Sequence, residues 1–140
     1  MTDAFLERLN GDWTYEAWVV PDDGQRRTGV EIVSRRGLWT VIESDDDARF
    51  QLAFDPDTGR IAGDFVNWTH PSLWTYDGVI DGDRMVLASR GPTMDETGGE
   101  TDYEDIWEIQ SPDERTLTGR LKQSDGSWRD FTRTVYRRKV

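Results

Sequence analysis

The residues best suited to chemistry in this chain are a lone histidine and a few carboxylates set among aromatic rings. His70 is the only imidazole, and it sits in GDFVNWTHPSLWTYDG (residues 63–78) beside Trp68, Trp74 and Tyr76. An imidazole changes charge near neutral pH and can serve as a general acid or base. It would need a carboxylate to orient it, and Asp64, Asp77 or Asp105 could supply one. The plainer reading is that His70, which precedes Pro71 in a turn, is exposed or lines a cavity mouth. The second candidate is Asp105 in ETDYEDIWEI. Strand periodicity puts Tyr103, Asp105, Trp107 and Ile109 on one face, and Asp102, Glu104, Ile106 and Glu108 on the other. If the first face looks inward, Asp105 is a carboxylate between two aromatics. Burial would then raise its pKa and make it an acid or a ligand anchor. The alternative is a buried aspartate satisfied by backbone or an arginine.

Other chemistry has less support. The chain carries 28 Asp and Glu, and most carboxylates must simply be solvated. SDDD from Ser44 and DPDTG from Asp55 suggest calcium, but neither completes a loop with a distal bidentate Glu. Asp-Pro-Asp-x-Gly is also what a tight turn requires. With one histidine and no cysteine, a zinc site would need mostly carboxylates, so no metal is expected. Nucleophile-elbow, phosphate-loop and dinucleotide motifs are missing, and no cofactor is expected. The sequon Asn67-Trp68-Thr69 is taken as a chance match.

The elements that must position these residues are strands. Short runs rich in Val, Ile, Thr, Trp, Tyr and Phe alternate with Gly, Asp and Pro clusters. The runs predict strands over residues 12–20, 28–34, 38–43, 49–54, 60–68, 74–80, 84–89, 101–110, 116–122 and 128–138. That spacing is typical of sandwiches and barrels. Thr2 or Asp3 could cap a helix of about two turns, with Phe5, Leu6 and Leu9 on one face. The longest irregular stretch is 91–100. Alternation groups Phe50, Leu52 and Phe54, and separately Leu117, Gly119 and Leu121. It also groups Asp64, Val66 and Trp68 against Phe65 and Asn67. Consecutive hairpins favour an antiparallel up-and-down meander, and closing it into a barrel removes the edges. One domain is expected over residues 1–140.

Composition narrows the partners. The 140 residues are 35% hydrophobic, but 7 tryptophans supply large apolar surface, which argues against disorder. A formal net charge of −11 repels phosphate backbones and anionic lipid, so neither nucleic acid nor membrane is expected as a partner. The basic run RDFTRTVYRRKV is either the solvent face of a strand or the source of an arginine that closes a barrel. The absence of cysteine removes disulfides and thiolate chemistry. MTDAFLERLN lacks the charge and apolar pattern of a secretory signal, and no apolar run approaches the roughly 18 residues of a membrane helix. The expected compartment is the cytoplasm.

A short helix followed by Gly11-Asp12-Trp13 resembles the opening signature of the lipocalin or calycin superfamily. TDY at residues 101–103 and TLTGR ending at Arg120 are similar to later signatures of those barrels. The resemblance implies that Trp13 plugs one end and that Arg120 or Arg137 packs across it. Some related barrels hold haem through a histidine, but from a different strand region than His70. RRGLWTVIESDDD, FQLAFDPDTGRIAGDFVNW, SRGPTMD, SPDERTLTGRL and FTRTVYRRK together resemble a bacterial family of lipocalin-like domains of unknown function. That likeness implies an all-β calycin-like barrel of about ten strands with an N-terminal lid helix. It carries over no catalytic residue.

Three readings of function follow. The first is a binding protein for a small hydrophobic or aromatic ligand, walled by Trp39, Trp68, Trp74, Tyr76, Tyr103 and Trp107. Asp105, His70 or an arginine would then be its polar anchor. The second is a small enzyme of isomerase, cyclase or hydrolase type, using His70 or Asp105 as acid or base. The third is a filled barrel acting as an interaction module or homodimer. Sequence leaves open whether the rings wall a pocket or fill the interior.

Overall fold

The computed structural model describes residues 4–45, 48–95 and 97–140. Ten strands follow a short helix, α1 (Ala4–Glu7). They are β1 (Gly11–Val19), β2 (Arg27–Arg36), β3 (Trp39–Ser44), β4 (Ala48–Asp55) and β5 (Arg60–Asn67), then β6 (His70–Asp81), β7 (Arg84–Pro92), β8 (Glu100–Ser111), β9 (Glu114–Lys122) and β10 (Trp128–Arg138). Each strand pairs antiparallel with its sequence neighbours, and β1 pairs with β10, so the barrel is closed. Closure leaves no edge strand among the described residues. Tight turns connect the strands. In DPDTG the Asp55 side chain accepts from Asp57 N–H (2.9 Å), its carbonyl accepts from Gly59 N–H (2.8 Å), and Gly59 has a φ of +72°. The motif is a turn, as its composition demands.

Several boundaries differ from expectation. The helix has a single turn of four residues, and the candidate caps Thr2 and Asp3 lie outside the described residues. Strand β6 begins at His70, so His70 and Pro71 belong to a strand rather than a turn, and Asn67 pairs directly with His70. Proline is tolerated at the start of a strand because no ladder donor is needed there. The irregular stretch also shrinks, since Gly91 and Pro92 extend β7 and Glu100 opens β8.

The two ends of the barrel are built differently. At one end Phe5, Leu6 and Leu9 are buried against Trp13, whose Nε1–H donates to the Leu9 carbonyl at 2.8 Å. Gly11 makes this entry possible. Its φ of +126° strains any side chain, and a Cβ there would lie 2.6 Å from Arg138 Nη1. Two arginines lie over the Trp13 ring, Arg115 at 4.6 Å and Arg138 at 4.2 Å. Arg138 also ties the end together by donating to the carbonyls of Asn10 (2.7 Å), Pro112 (3.0 Å) and Arg8 (3.1 Å).

These are not the arginines expected from the sequence. Arg120 points outward, paired with Glu104 and lying 4.6 Å from the Trp128 ring. Arg137 is exposed and reaches Glu114 at 3.5 Å. Strand parity is the reason. Arg115 shares the inner face of β9 with Leu117, and Arg138 follows Tyr136 along the inner face of β10.

Below the middle of the barrel lies a buried charge pair. Arg115 and Glu31 are each only 1% exposed and form an ion pair, and Ser44 Oγ–H donates to Glu31 at 2.8 Å. The Arg115 guanidinium also faces the rings of Tyr136 (3.8 Å) and Trp107 (5.4 Å). Its Nε and Nη1 have no hydrogen-bond partner among the described residues, so the ring faces are its remaining company.

Candidate functional site

Above this pair the barrel opens into a chamber of about 720 Å³. That is within the usual range for small-molecule sites. Its walls come from alternate residues of facing strands. Phe65 of β5 sits opposite Trp74 of β6, and Gly63 sits opposite Tyr76. Phe50 joins them from β4, with ring centroids 4.5 Å from Phe65 and 6.0 Å from Tyr76. Trp74 meets Tyr103 edge-on at 5.0 Å, and Tyr103 meets Phe131 at 5.8 Å. Trp74 packs against β7 because residue 91 is glycine, where a Cβ would come within 2.2 Å of the ring. A register irregularity between Asp130 and Thr132 turns both Phe131 and Thr132 toward the chamber.

The polar centre of the chamber is a carboxylate–phenol pair. Tyr76 donates its hydroxyl hydrogen to Asp105 Oδ2 at 2.7 Å. Burial pushes the Asp105 carboxyl from its ordinary 3.8 up to about 6, and the Tyr76 hydrogen bond only partly opposes this. The Tyr76 phenol is itself pushed well above its ordinary range, first by burial and then by the neighbouring Asp105 charge. Tyr103, nearer the mouth, is raised by burial, and its hydroxyl donates to the Pro92 carbonyl. A carboxyl group poised near neutrality can accept a hydrogen bond, hold a positive charge or exchange a proton.

The structure separates the candidates named from sequence. Trp74, Tyr76, Tyr103, Asp105 and His70 all line the chamber. His70 is exposed at the mouth, where its Nδ1 accepts from Ser72 N–H at 3.3 Å. No carboxylate among the described residues hydrogen-bonds to it. Asp77 is held by Arg60 (2.7 Å) and Asp64 by Gln51 (3.2 Å), while Asp105 is bonded to Tyr76. The oriented imidazole–carboxylate pair is therefore not formed.

Three expected wall residues are elsewhere. Trp39 is on the outer face of β3 and 40% exposed, and Trp68 is in the β5–β6 turn and 57% exposed. Trp107 is fully buried, edge-on to Phe50 at 5.2 Å and beneath the chamber rather than along its wall. The rings thus divide, with Trp107 filling the lower barrel and Trp74, Tyr76 and Tyr103 walling the upper part. Sequence reading missed Phe65, Phe131, Tyr15 and Tyr136, which also face the chamber. Phe65 was recoverable from its register with Trp74, because residues opposite each other in a ladder share a face.

Trp68→Ala provides a check on this division. It should change stability by no more than about 0.5 kcal/mol and leave any dye uptake by the chamber as in the parent, as for a surface site. Chemical denaturation and dye titration of the variant read both quantities.

The fold and the chamber together define a small closed β-barrel with one mouth open to a ligand-sized, aromatic-walled cavity. The chain belongs to the family described as "Protein of unknown function (DUF1579)", which matches residues 2–138. A comparison with curated proteins finds no match. Among solved structures, the chain is similar to a redesigned beta barrel at 15% identity and a TM-score of 0.45, covering 96% of this chain and 95% of that one. It is also similar to transferrin binding protein B from serogroup B Neisseria meningitidis, at 12% identity and a TM-score of 0.40 over 93% of this chain. A mutant of that protein from Haemophilus parasuis Hp5 gives 14% identity and a TM-score of 0.40 over 96% of this chain. The match covers only 26% and 28% of the two transferrin binding proteins. No helix among the described residues is long and apolar enough to cross a membrane.

Proposed function

We propose that this protein binds a small, mostly apolar molecule inside its barrel. The observation that carries this reading is the chamber of about 720 Å³, walled by aromatic rings and holding one carboxylate–phenol pair. Such a cavity combines apolar area for affinity with one polar point for orientation. We place the fold among lipocalin-like calycin barrels, and the Trp13 plug beneath a lid helix and two arginines supports this. A cytoplasmic location is part of the same proposal, supported by the absence of cysteine.

Native mass spectrometry of freshly purified protein, followed by solvent extraction, tests the reading together with titration of a neutral solvatochromic dye. Binding predicts either a reproducible extra mass at one per chain or saturable dye uptake displaced by small aromatics. A clean apo mass together with no dye uptake would sink it.

A second reading is favoured by one observation. The Asp105 carboxyl is held near 6 inside the chamber beside the Tyr76 phenol, which suits a general acid or base acting on a bound molecule. Loss of turnover by about 10²-fold or more in Asp105→Asn, on a substrate identified by extraction, would distinguish an enzyme from a carrier.

A further inference from the structure

We propose, on the premise that the chamber holds a ligand, that this ligand is an organic cation whose ammonium group sits against Asp105. One oxygen of that carboxylate, Oδ2, accepts from Tyr76 at 2.7 Å. The other, Oδ1, has no hydrogen-bond partner among the described residues, and Asp105 lines the chamber. Asp105 forms no ion pair among those residues. It is the sole carboxylate among the described chamber-lining residues, and the one guanidinium lining the chamber, Arg27, is exposed on β2 at the mouth. The Arg115 charge below is matched by Glu31, so that pair adds no net charge beneath the chamber. A carboxylate in the middle of a cavity therefore lacks a counter-charge.

The rest of the cavity suits the same class of ligand. The rings of Trp74, Tyr76, Tyr103, Phe50 and Phe65 surround the space. Aromatic faces carry negative quadrupole density and attract a desolvated ammonium group. A neutral alcohol of the same shape would keep the ring contacts and a hydrogen bond but lose the Coulomb attraction. A carboxylate would meet Asp105 as a like charge within a chain of net charge −11.

The test compares phenethylamine, 2-phenylethanol and phenylacetate, which have similar size and the same ring. Their affinities for the whole protein would be measured at neutral pH and moderate salt by calorimetry, with a neutral solvatochromic dye reporting chamber access. The amine should bind about tenfold or more tightly than the alcohol, and phenylacetate most weakly. Asp105→Asn should abolish the amine's advantage over the alcohol while the dye still enters, its fold being checked by thermal melting. Tyr76→Phe keeps the carboxylate and should keep the amine preference. Equal affinity for amine and alcohol overturns the inference. So does a preference that survives in Asp105→Asn, because net charge alone would then explain it. If the dye enters but the amine is not preferred, the cation inference fails and the chamber reading stands. If neither the dye nor any of the three compounds binds, both fail.

Discussion

Replacing Arg115 by leucine is expected to lower the unfolding free energy by about 3–5 kcal/mol, the usual cost of breaking a buried ion pair from one side. Arg115 and Glu31 are both 1% exposed, so the variant leaves a carboxylate inside the barrel without its cation. The Ser44 hydroxyl would remain as a donor to Glu31, but one neutral hydrogen bond does not replace a guanidinium. The same substitution removes the cation that lies over Trp13, Trp107 and Tyr136, loosening the floor of the chamber and the plug together. Replacing both partners by leucine should recover most of the loss, because two desolvated charges are then exchanged for apolar packing. Urea denaturation of the two single variants and the double variant measures this as a cycle. The coupling should persist in high salt, since buried pairs are poorly screened. A single-variant loss below about 1 kcal/mol would put the pair in the class of exposed salt bridges and contradict its burial.

Asp105→Asn should stabilise the protein at neutral pH. The native carboxyl is raised to about 6 from an ordinary 3.8, so the native state holds its proton more tightly than the unfolded chain. Below about pH 4 the group is protonated in both states and costs nothing. As pH rises toward 6 the unfolded chain ionises first, and native stability is progressively lost. Above that the penalty is complete, at roughly 3 kcal/mol for the gap between the two values. Asparagine cannot ionise, yet its carbonyl can still accept from Tyr76. The difference in stability between variant and parent should therefore be near zero in acid, grow between about pH 4 and 6, and level off above. Denaturation across pH for both proteins tests this. A difference that does not change with pH would mean that Asp105 is not desolvated in the native barrel. This penalty is also what a bound cation would relieve, linking the stability experiment to the ligand experiment.

Much of the architecture could be read from residue order alone. Ten runs of β-formers separated by Gly, Asp and Pro clusters named the ten strands and their sequential pairing. The resemblance carried by the Gly11-Asp12-Trp13 step after a short helix implied the plug. The alternation in residues 100–109 put Tyr103, Asp105 and Trp107 on one face. These features are local. Period-two alternation, turn chemistry and helix-face spacing are set by residues within a few positions of each other.

What the sequence could not decide was which face looks inward and how far inward each side chain reaches. In β2 the apolar residues Val30 and Ile32 suggest a core face, yet Ile32 is 51% exposed and Glu31 is buried. Glu31 shares the inner face with the buried Val33, and Arg115, 84 residues further on, makes the buried carboxylate tolerable. Arg115 shares parity with Leu117 and Arg120 does not, so alternation separates the two arginines once the Leu117 face is known to look inward. Trp68 and Phe65 are equally apolar, and only the register with β6 turns Phe65 in and leaves Trp68 in a turn. The irregularity near Phe131 breaks the period within a strand and brings two consecutive residues to the chamber. Whether the barrel is filled or hollow was likewise a tertiary outcome. Local alternation determined that this chain is an antiparallel β protein, while the plugged end was only what a family resemblance implied. The hollow upper half, and the Asp105 carboxylate within it that forms no ion pair among the described residues, exist only because ten strands close at one registration, and a one-residue slip in any of them would turn its side chains to the opposite face.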